Sequence, residues 1–378
     1  MSNNLMKIRE IKDALNGKYL EREQQVEGML IALLSRQHIL LVGPPGTAKS
    51  ALSMELSTII ENSTYFQWLL TKYTTPDEVF GGIMLKDIEE GIHKHNTEKK
   101  LAEAHLVFLD EIFKGSSEIL NALLKAINER TFENGTEEMD MPLMTLVGAS
   151  NEYPDEEDGL DALFDRFLLR FEVDYIKDRR NLLKVMKGTG QEQEMPTISL
   201  EELENLQFLR EMVAIPDEVY EKVADIWEEL RDEGIFPSDR RIQRCYSVLQ
   251  AKALMEQRQI VEVKDILFLQ HALWQNIDQK GQVTEIIRKH AQDVVSRLLE
   301  SVTEESADIM KQLQESENTN YVLEATQKIK SLAKELNNVK EKHPARIQDI
   351  EKVSEKLREN LETLTNSVLE PIEEPMPN

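Results

Sequence analysis

The sequence predicts an α/β fold: a parallel sheet covered by helices, followed by an all-α domain and a helical C-terminal region. Three observations carry this expectation. Residues 1–185 alternate short, fully apolar runs with helical patterns, as strands buried on both faces and their crossover helices do. Residues 186–281 contain no convincing strand and read as several helices. Beyond Gly281, the last glycine, the only aromatic residue is Tyr321, and apolar positions repeat at heptad spacing.

Within the first zone, the expected strands are Ile39–Val42, Leu106–Leu109 and Met144–Ala149, each followed by a polar or glycine-rich turn. Helices are expected over Ser50–Glu61 and Ser116–Asn128. In the latter, Ile119, Leu120, Leu123, Leu124 and Ile127 fall on one face. The second zone breaks near Ile215–Pro216 and again at Phe236, Pro237 and Ser238. In the third, Val322, Ile329 and Leu336 recur every seven residues, with Ala325, Leu332 and Val339 between them. Ile347, Ile350, Leu357, Leu361, Leu364 and Val368 continue the stripe, so these helices must pack on each other or on a partner. Breaks are expected at Glu317–Thr319 and His343–Pro344, with a frayed end from Pro371. Three domains follow: 1–185, 186–281 and 282–378.

Bulk properties narrow the function classes. With 378 residues, the chain can bury a sizeable core, and 40% apolar with 30% charged residues is ordinary for a helix-rich globular protein. A formal net charge of −25 repels phosphate backbones and anionic membranes, so sequence-independent nucleic-acid binding is not the expected task. Cys245 is the single cysteine, which forbids an internal disulfide or a cysteine-built zinc site and fits a reducing compartment. No apolar run reaches the length of a signal peptide or a membrane span. A soluble, cytoplasmic protein is therefore expected.

Gly43, Pro44, Pro45, Gly46, Thr47, Ala48, Lys49 and Ser50 join the first apolar run to a helix. Backbone N–H groups at a helix N-terminus face outward and the helix dipole favours an anion there, so this is the context a phosphate cradle needs. Lys49 can reach β- and γ-phosphates, and the Ser50 hydroxyl can ligate Mg²⁺. Ala48 departs from the strict pattern, which has glycine before the lysine; it is acceptable if that residue has helical dihedrals.

About 60 residues later, Leu106–Leu109 ends in Asp110 and Glu111. Carboxylates at the C-terminal end of a central strand suit two tasks: Asp110 in the outer shell of Mg²⁺, and Glu111 orienting and deprotonating the attacking water. The third run ends at Asn151, whose amide could bond the γ-phosphate or the water. Arg166 follows an expected helix and is either an ion-pair partner of Asp165 or Asp161, or a cation offered to a neighbouring subunit's γ-phosphate. Ser238 is a good N-cap, and Arg240 lies in the first turn behind it, where a cation is unfavourable. Closing over nucleotide phosphates is one reason for it to be there.

Taken in order, GPPGTAKS (43–50), LTKYTTPDEVFGG (70–82), LVFLDEIFKGSSEILNALLKAINERTFENG (106–135), GASNEYP (148–154), LDALFDRFLLR (160–170) and SDRR (238–241) resemble the MoxR family of AAA+ ATPases. Within it, the resemblance is to the RavA (regulatory ATPase variant) branch, over residues 20–280. Ala48 is normal in that family. The resemblance implies that Lys49 and Ser50 form the Walker A pair and Asp110 and Glu111 the Walker B pair. Asn151 would be sensor 1, Arg166 the arginine finger and Arg240 sensor 2, with Arg170 and Arg241 as the respective alternates. It also implies a helix-2 insert between Phe80 and Ala104, shaped like a β-hairpin and directed toward a ring pore. Further implications are ATP/ADP and Mg²⁺ as cofactors, assembly as a hexamer, and chaperone-like remodelling or activation of protein clients. The family often works with a partner carrying a von Willebrand factor A domain. The segment after 281 has no evident β-rich insertion of the RavA kind, so partners reached through one are not transferred.

Two other functions use the same loop. A nucleotide-gated scaffold would bind ATP in order to assemble and recruit partners through the helical tail, but it has no need of a water-activating carboxylate such as Glu111. A P-loop kinase would leave Asn151, Arg166 and Arg240 without roles.

Overall fold

A computed structural model describes residues 2–84, 94–154, 159–188, 194–315, 319–342 and 346–369. The chain divides into two compact units, 1–287 and 288–378.

The first unit opens with helices α1 (Ser2–Lys18) and α2 (Glu23–Ser35), then β1 (Ile39–Val42), α3 (Lys49–Ile59), β2 (Ile60–Glu61), β3 (Tyr65–Leu69), α4 (Pro76–Phe80) and β4 (Leu106–Asp110). It continues through α5 (Ser117–Glu129), β5 (Thr131–Asn134), β6 (Glu137–Asp140), β7 (Thr145–Ser150), α6 (Asp161–Arg166), β8 (Leu169–Glu172) and α7 (Arg179–Met186). Five strands form one parallel sheet in the order β3-β4-β7-β1-β8. Leu41 stands opposite Ala149 on one side and Phe171 on the other. All four β1 residues are buried, which is why this strand reads as an unbroken apolar run rather than an alternating one. The helix α2 is buried along nearly its whole length, and a Cβ at Gly28 would stand 2.4 Å from the Phe171 ring. Only glycine allows that approach of helix to sheet.

Two local expectations are corrected. The helix after the phosphate loop stops at Ile59 instead of running to Glu61, because Ile60 takes an extended backbone (φ −97, ψ 100). Two consecutive β-branched residues favour that change. Ile60 and Glu61 then pair in parallel with β9 (Ile198–Ser199), a strand in the zone read as wholly helical. Between Phe80 and Ala104 the base of a hairpin is present: Ile83 bridges His95 antiparallel, and Met84 N–H donates to Lys94 O at 3.1 Å. The rest of that expected insert, 85–93, lies outside the described residues.

After β9 come α8 (Leu200–Glu211), α9 (Asp217–Asp232) and α10 (Asp239–Met255), then a 3-10 segment, Val263–His271. The breaks fall where Pro216 and Ser238 place them; Ser238 caps α10 by accepting from Arg241 N–H at 3.2 Å. These helices are mounted on α2. The helix α10 packs against it, Gln207 Nε2 donates to Leu33 O at 2.8 Å, and Lys252 pairs with Glu27 at 2.9 Å.

Helix α11 (Lys280–Ala291) runs through position 281, where the sequence placed a domain boundary, and buries Val283 and Ile287. The second unit contains α12 (Val294–Glu315), α13 (Thr319–Lys342) and α14 (Ile347–Leu369). Its core joins Val295, Leu299, Val302 and Ile309 to Ala325, Ile329, Leu332 and Leu336, and to Ile350, Leu357 and Leu364. The heptad stripes thus pack on one another. Residues 316–318 and 343–345, the Val368 side chain and the end from 370 lie outside the described residues, and with them most of the expected breaks and the frayed terminus. No helix among the described residues is long and apolar enough to cross a membrane.

Candidate active site

Strands β4, β7 and β1 are neighbours in the sheet, and their C-terminal ends bring Asp110 and Glu111, Asn151, and Gly43 to one crevice. The chain leaves β1 for β3 at one edge of the sheet and leaves the adjacent β7 for β8 at the other, and open α/β sheets bind ligands at such a reversal. Gly43 N–H donates to Ser150 O at 3.0 Å, tying the loop to β7. A Cβ at Gly43 would stand 1.8 Å from Val173 O, so glycine is obligatory. The loop is braced by Thr47, whose hydroxyl donates to Pro44 O at 2.9 Å, while Pro45, Gly46 and Ser50 are exposed.

Ala48 is not helical. It has φ 69 and ψ 21, in the left-handed region, and Gly46 is also at positive φ (78). The expectation that alanine fits because the helix has begun is therefore wrong. The helix begins one residue later, and alanine bears a strain of about 1–2 kcal/mol that glycine would avoid.

Lys49 is buried. Its ammonium donates to Gly43 O, to Pro44 O at 3.0 Å and to Asn151 Oδ1 at 3.2 Å. The other end of the same amide, Asn151 Nδ2, donates to Glu111 Oε1. Asn151 therefore joins the phosphate-loop lysine to the β4 carboxylate, and only this orientation of the amide serves both partners. Burial pushes Lys49 below the ordinary lysine value, against the pull of Asp110 and Glu111. Burial pushes the Asp110 carboxyl up, against the hydrogen bond it accepts from Glu111 N–H at 3.0 Å. Glu111 itself sits at φ 50, and its Oε2 is buried without a hydrogen-bond partner, 3.2 Å from the Lys114 ammonium. A half-buried carboxylate at Asp110 and an exposed first-turn hydroxyl at Ser50 fit a hydrated Mg²⁺ on a polyphosphate.

The predicted arginines lie elsewhere, around Asp165. Arg240 Nη2 donates to Asp165 Oδ2 at 2.5 Å, and Arg241 Nε donates to Oδ1 at 3.1 Å. Arg241 is fully buried and also donates to the carbonyls of Asp165, Phe167, Leu168 and Ala272 at 2.6–3.1 Å. It is a staple between the core and the 3-10 segment and cannot reach a ligand. Arg170 is likewise buried, donating to Phe164, Phe167 and Trp274 carbonyls with its guanidinium 3.9 Å from the Phe164 ring. It too is structural, not an alternate finger. Arg166, next to this hub in the last turn of α6, is half-buried, and its Nε has no hydrogen-bond partner among the described residues.

Sequence reasoning missed Arg22. It is buried, with Nε on Thr47 O at 3.3 Å and Nη2 on Asp174 O at 2.5 Å, bracing the phosphate loop against the chain after β8. Together with Gly43, Pro44, Asn151, Tyr175 and Lys177 it borders a cleft of about 560 Å³ beside the loop. No motif marks Arg22, because its role depends on a contact with a residue 25 positions away.

The sheet order, the loop and the helical domain on α2 are those of an AAA+ ATPase. Residues 6–211 match the family described as the MoxR domain in the MoxR-vWA-beta-propeller ternary systems, and 218–287 match an AAA lid domain. The chain belongs to the MoxR family of AAA+ ATPases. Two uncharacterized proteins of Methanocaldococcus jannaschii are similar to it. One is 36% identical across 83% of this chain and 80% of its own length; the other is 34% identical across 75% of each. The protein named Chaperone MoxR1 of Mycobacterium tuberculosis is 31% identical over 44% of this chain and 43% of its own length. A crystal structure of a protein from Cytophaga hutchinsonii, described as an ATPase, has the same fold. Its TM-score is 0.61 at 19% identity, covering 76% of this chain and 94% of that one.

Proposed function

We propose that the chain hydrolyses ATP at the interfaces of a ring, a hexamer as family resemblance suggests, and uses the cycle to remodel or activate protein clients. The observation that carries this reading is the single amide of Asn151 bridging Lys49 and Glu111 at the ends of three adjacent strands. It links the group that holds phosphates to the group that activates water. In this reading the loop N–H groups and Lys49 bind the β- and γ-phosphates, the base and ribose enter the cleft bordered by Arg22 and Tyr175, and Ser50 and Asp110 hold Mg²⁺. The metal supplies charge neutralisation at the phosphates. Glu111 takes the proton of the attacking water, and Asn151 orients that water.

Arg166 is assigned to the neighbouring subunit's γ-phosphate as the arginine finger, and Arg240 to sensor 2, closing over the nucleotide phosphates. Supporting the finger, Arg166 lies in the last turn of α6 with its Nε lacking a hydrogen-bond partner among the described residues. A partner with a von Willebrand factor A domain fits the systems from which the matched family takes its description. Placement in the RavA branch rests on the sequence motifs alone, as do the domain boundary at 185 and the cytoplasmic location.

Equilibrium nucleotide binding and steady-state turnover test the core assignment together. Lys49→Ala should remove most ATP affinity, because the lysine acts on the bound ground state. Glu111→Gln should bind ATP and barely turn it over, because the carboxylate acts only during the reaction. Equal loss of binding in both variants would falsify the assignment.

A further inference from the structure

Helix α7, Arg179–Met186, has no buried residue. Its apolar side chains face solvent: Leu182 is 46% exposed, Leu183 38%, Val185 44% and Met186 73%. The same short segment carries Arg179, Arg180, Lys184 and Lys187 in a chain of net charge −25, with Arg180 paired to Asp178 at 2.9 Å. An eight-residue helix that is apolar on one side, carries several cations and buries no residue against the described part of its unit is a surface suited to a partner.

Elsewhere on the same unit lies a surface with the opposite rim. Along α8 and the residues after it, Glu204, Phe208 and Met212 recur every four residues on one stripe, flanked by exposed Glu201 and Glu211. Phe208 is 58% exposed and Met212 63%. Ile260, 54% exposed, is held beside Ala214, two residues after Met212, because Ala214 donates to Gln259 O at 2.9 Å and accepts from Val261 N–H at 2.9 Å.

We propose that these two patches are the two halves of one head-to-tail contact: α7 of one copy docks on the Phe208–Met212–Ile260 strip of the next. Both patches are exposed, so they do not cover each other within a chain. Their charges are complementary, basic on α7 and acidic on the strip. Two unlike surfaces on one chain make a heterologous interface, the kind that closes into rings. An anionic membrane is the other surface a basic amphipathic helix can meet, but the rest of this acidic chain repels it.

The helix also reports on the nucleotide site. Its entry is held by Glu21, whose carboxylate accepts from Lys177 N–H at 2.8 Å, Asp178 N–H at 3.0 Å and Asn181 Nδ2 at 3.0 Å. Arg22, next in sequence, braces the phosphate loop through Thr47. Docking of α7 is thereby joined to the loop through two adjacent residues, so nucleotide at the loop favours assembly. Head-to-tail closure rests on the ring reading of the proposed function.

Site-directed cross-linking of the full chain tests the contact. Cys245 is buried, its thiol pushed up to about 12 by that burial, so it stays silent. Met186→Cys and Met212→Cys are made as separate proteins, mixed with ATP and oxidised under mild conditions. A covalent dimer should form in the mixture and in neither protein alone, and Leu183→Glu with Met186→Glu should abolish assembly while ATP binding is retained. A dimer from Met186→Cys alone means a symmetric contact and overturns the proposal. So does assembly, seen by sedimentation, with no cross-link and no effect of the glutamates, although the ring itself then stands. A parent protein that stays monomeric with ATP removes the ring reading and this contact together. Co-sedimentation of the parent, but not the glutamate variant, with vesicles containing phosphatidylserine assigns α7 to membranes and overturns the contact.

Discussion

Asp165 shows how one side chain can organise a functional face. Two arginines share its carboxylate: Arg241, fully buried, and Arg240, about a third exposed. Burial acts to raise the Asp165 carboxyl, but Arg241 and Arg240 outweigh it and hold the group below its ordinary value. A depressed carboxylate contributes stability above its unfolded value near ~4 and loses it as pH falls through the folded one. Asp165→Asn should therefore lower stability at pH 7 by about 2 kcal/mol, less than a wholly buried pair would lose because solvent screens the exposed edge. The deficit should shrink as pH falls below about 4, first because the unfolded chain binds the proton and then, below the depressed folded value, because the parent carboxylate itself is protonated. Thermal unfolding of both proteins from pH 3 to 7 checks this, and a deficit that does not change with pH would remove Asp165 from the ion pair. Little of this hub was legible in the sequence. Asp165 read as a neighbour competing for Arg166, and the first-turn arginines read as ligand groups, because burial and carbonyl acceptors come only from the tertiary fold. Lys49, Asp110, Glu111 and Asn151 were legible, since each follows an apolar strand and sheet order does the rest. Ala48 was misread for the opposite reason: its residue type gave no sign of the positive φ the loop imposes.

Among the elements, the central strands and the helix after Ser116 were readable because they are short, apolar and bounded by polar turns. Helices α1 and α2 were not, since α2 is buried almost throughout and shows no amphipathic period. The end of the second zone was also misjudged. Gly281 suggested a boundary, yet nothing stands within 4 Å of where its Cβ would be, and α11 continues past it. Val283 and Ile287, with no exposed surface, belong to the first unit. A chain cut after Ala291 should stay soluble and bind ATP as the parent does. One cut after Gly281 loses both buried side chains, at a cost of roughly 2–5 kcal/mol for each, and should aggregate or melt markedly lower. Expression, solubility and nucleotide binding of the two truncations decide the matter. Equal behaviour would mean that α11 packs with the second unit instead.

At the scale of the whole molecule, the proposed reaction draws on two chains. The phosphate loop, Asp110, Glu111 and Asn151 are one proposed part; Arg166, next to Asp165 in the last turn of α6, is the other. If the second part serves a neighbour, two inactive proteins should repair each other. Lys49→Ala cannot hold ATP but still presents Arg166. Arg166→Ala holds ATP but presents no finger. In a mixed ring, an interface that sets the ATP site of the second against Arg166 of the first contains every group the reaction needs. An arginine finger is worth on the order of 10³–10⁵ in rate, so even partial repair stands well above background. Turnover in the mixture should exceed the sum of the separate proteins and rise with protein concentration and with time for subunit exchange. Arg240→Ala in place of Arg166→Ala should show no such repair, because a sensor 2 residue acts on the nucleotide held by its own chain. Nearly full activity of Arg166→Ala alone would make that residue a surface cation and nothing more. Co-assembly of the two dead proteins without any repair would place Arg166 within its own subunit's chemistry, or require every site in the ring to hold ATP at once.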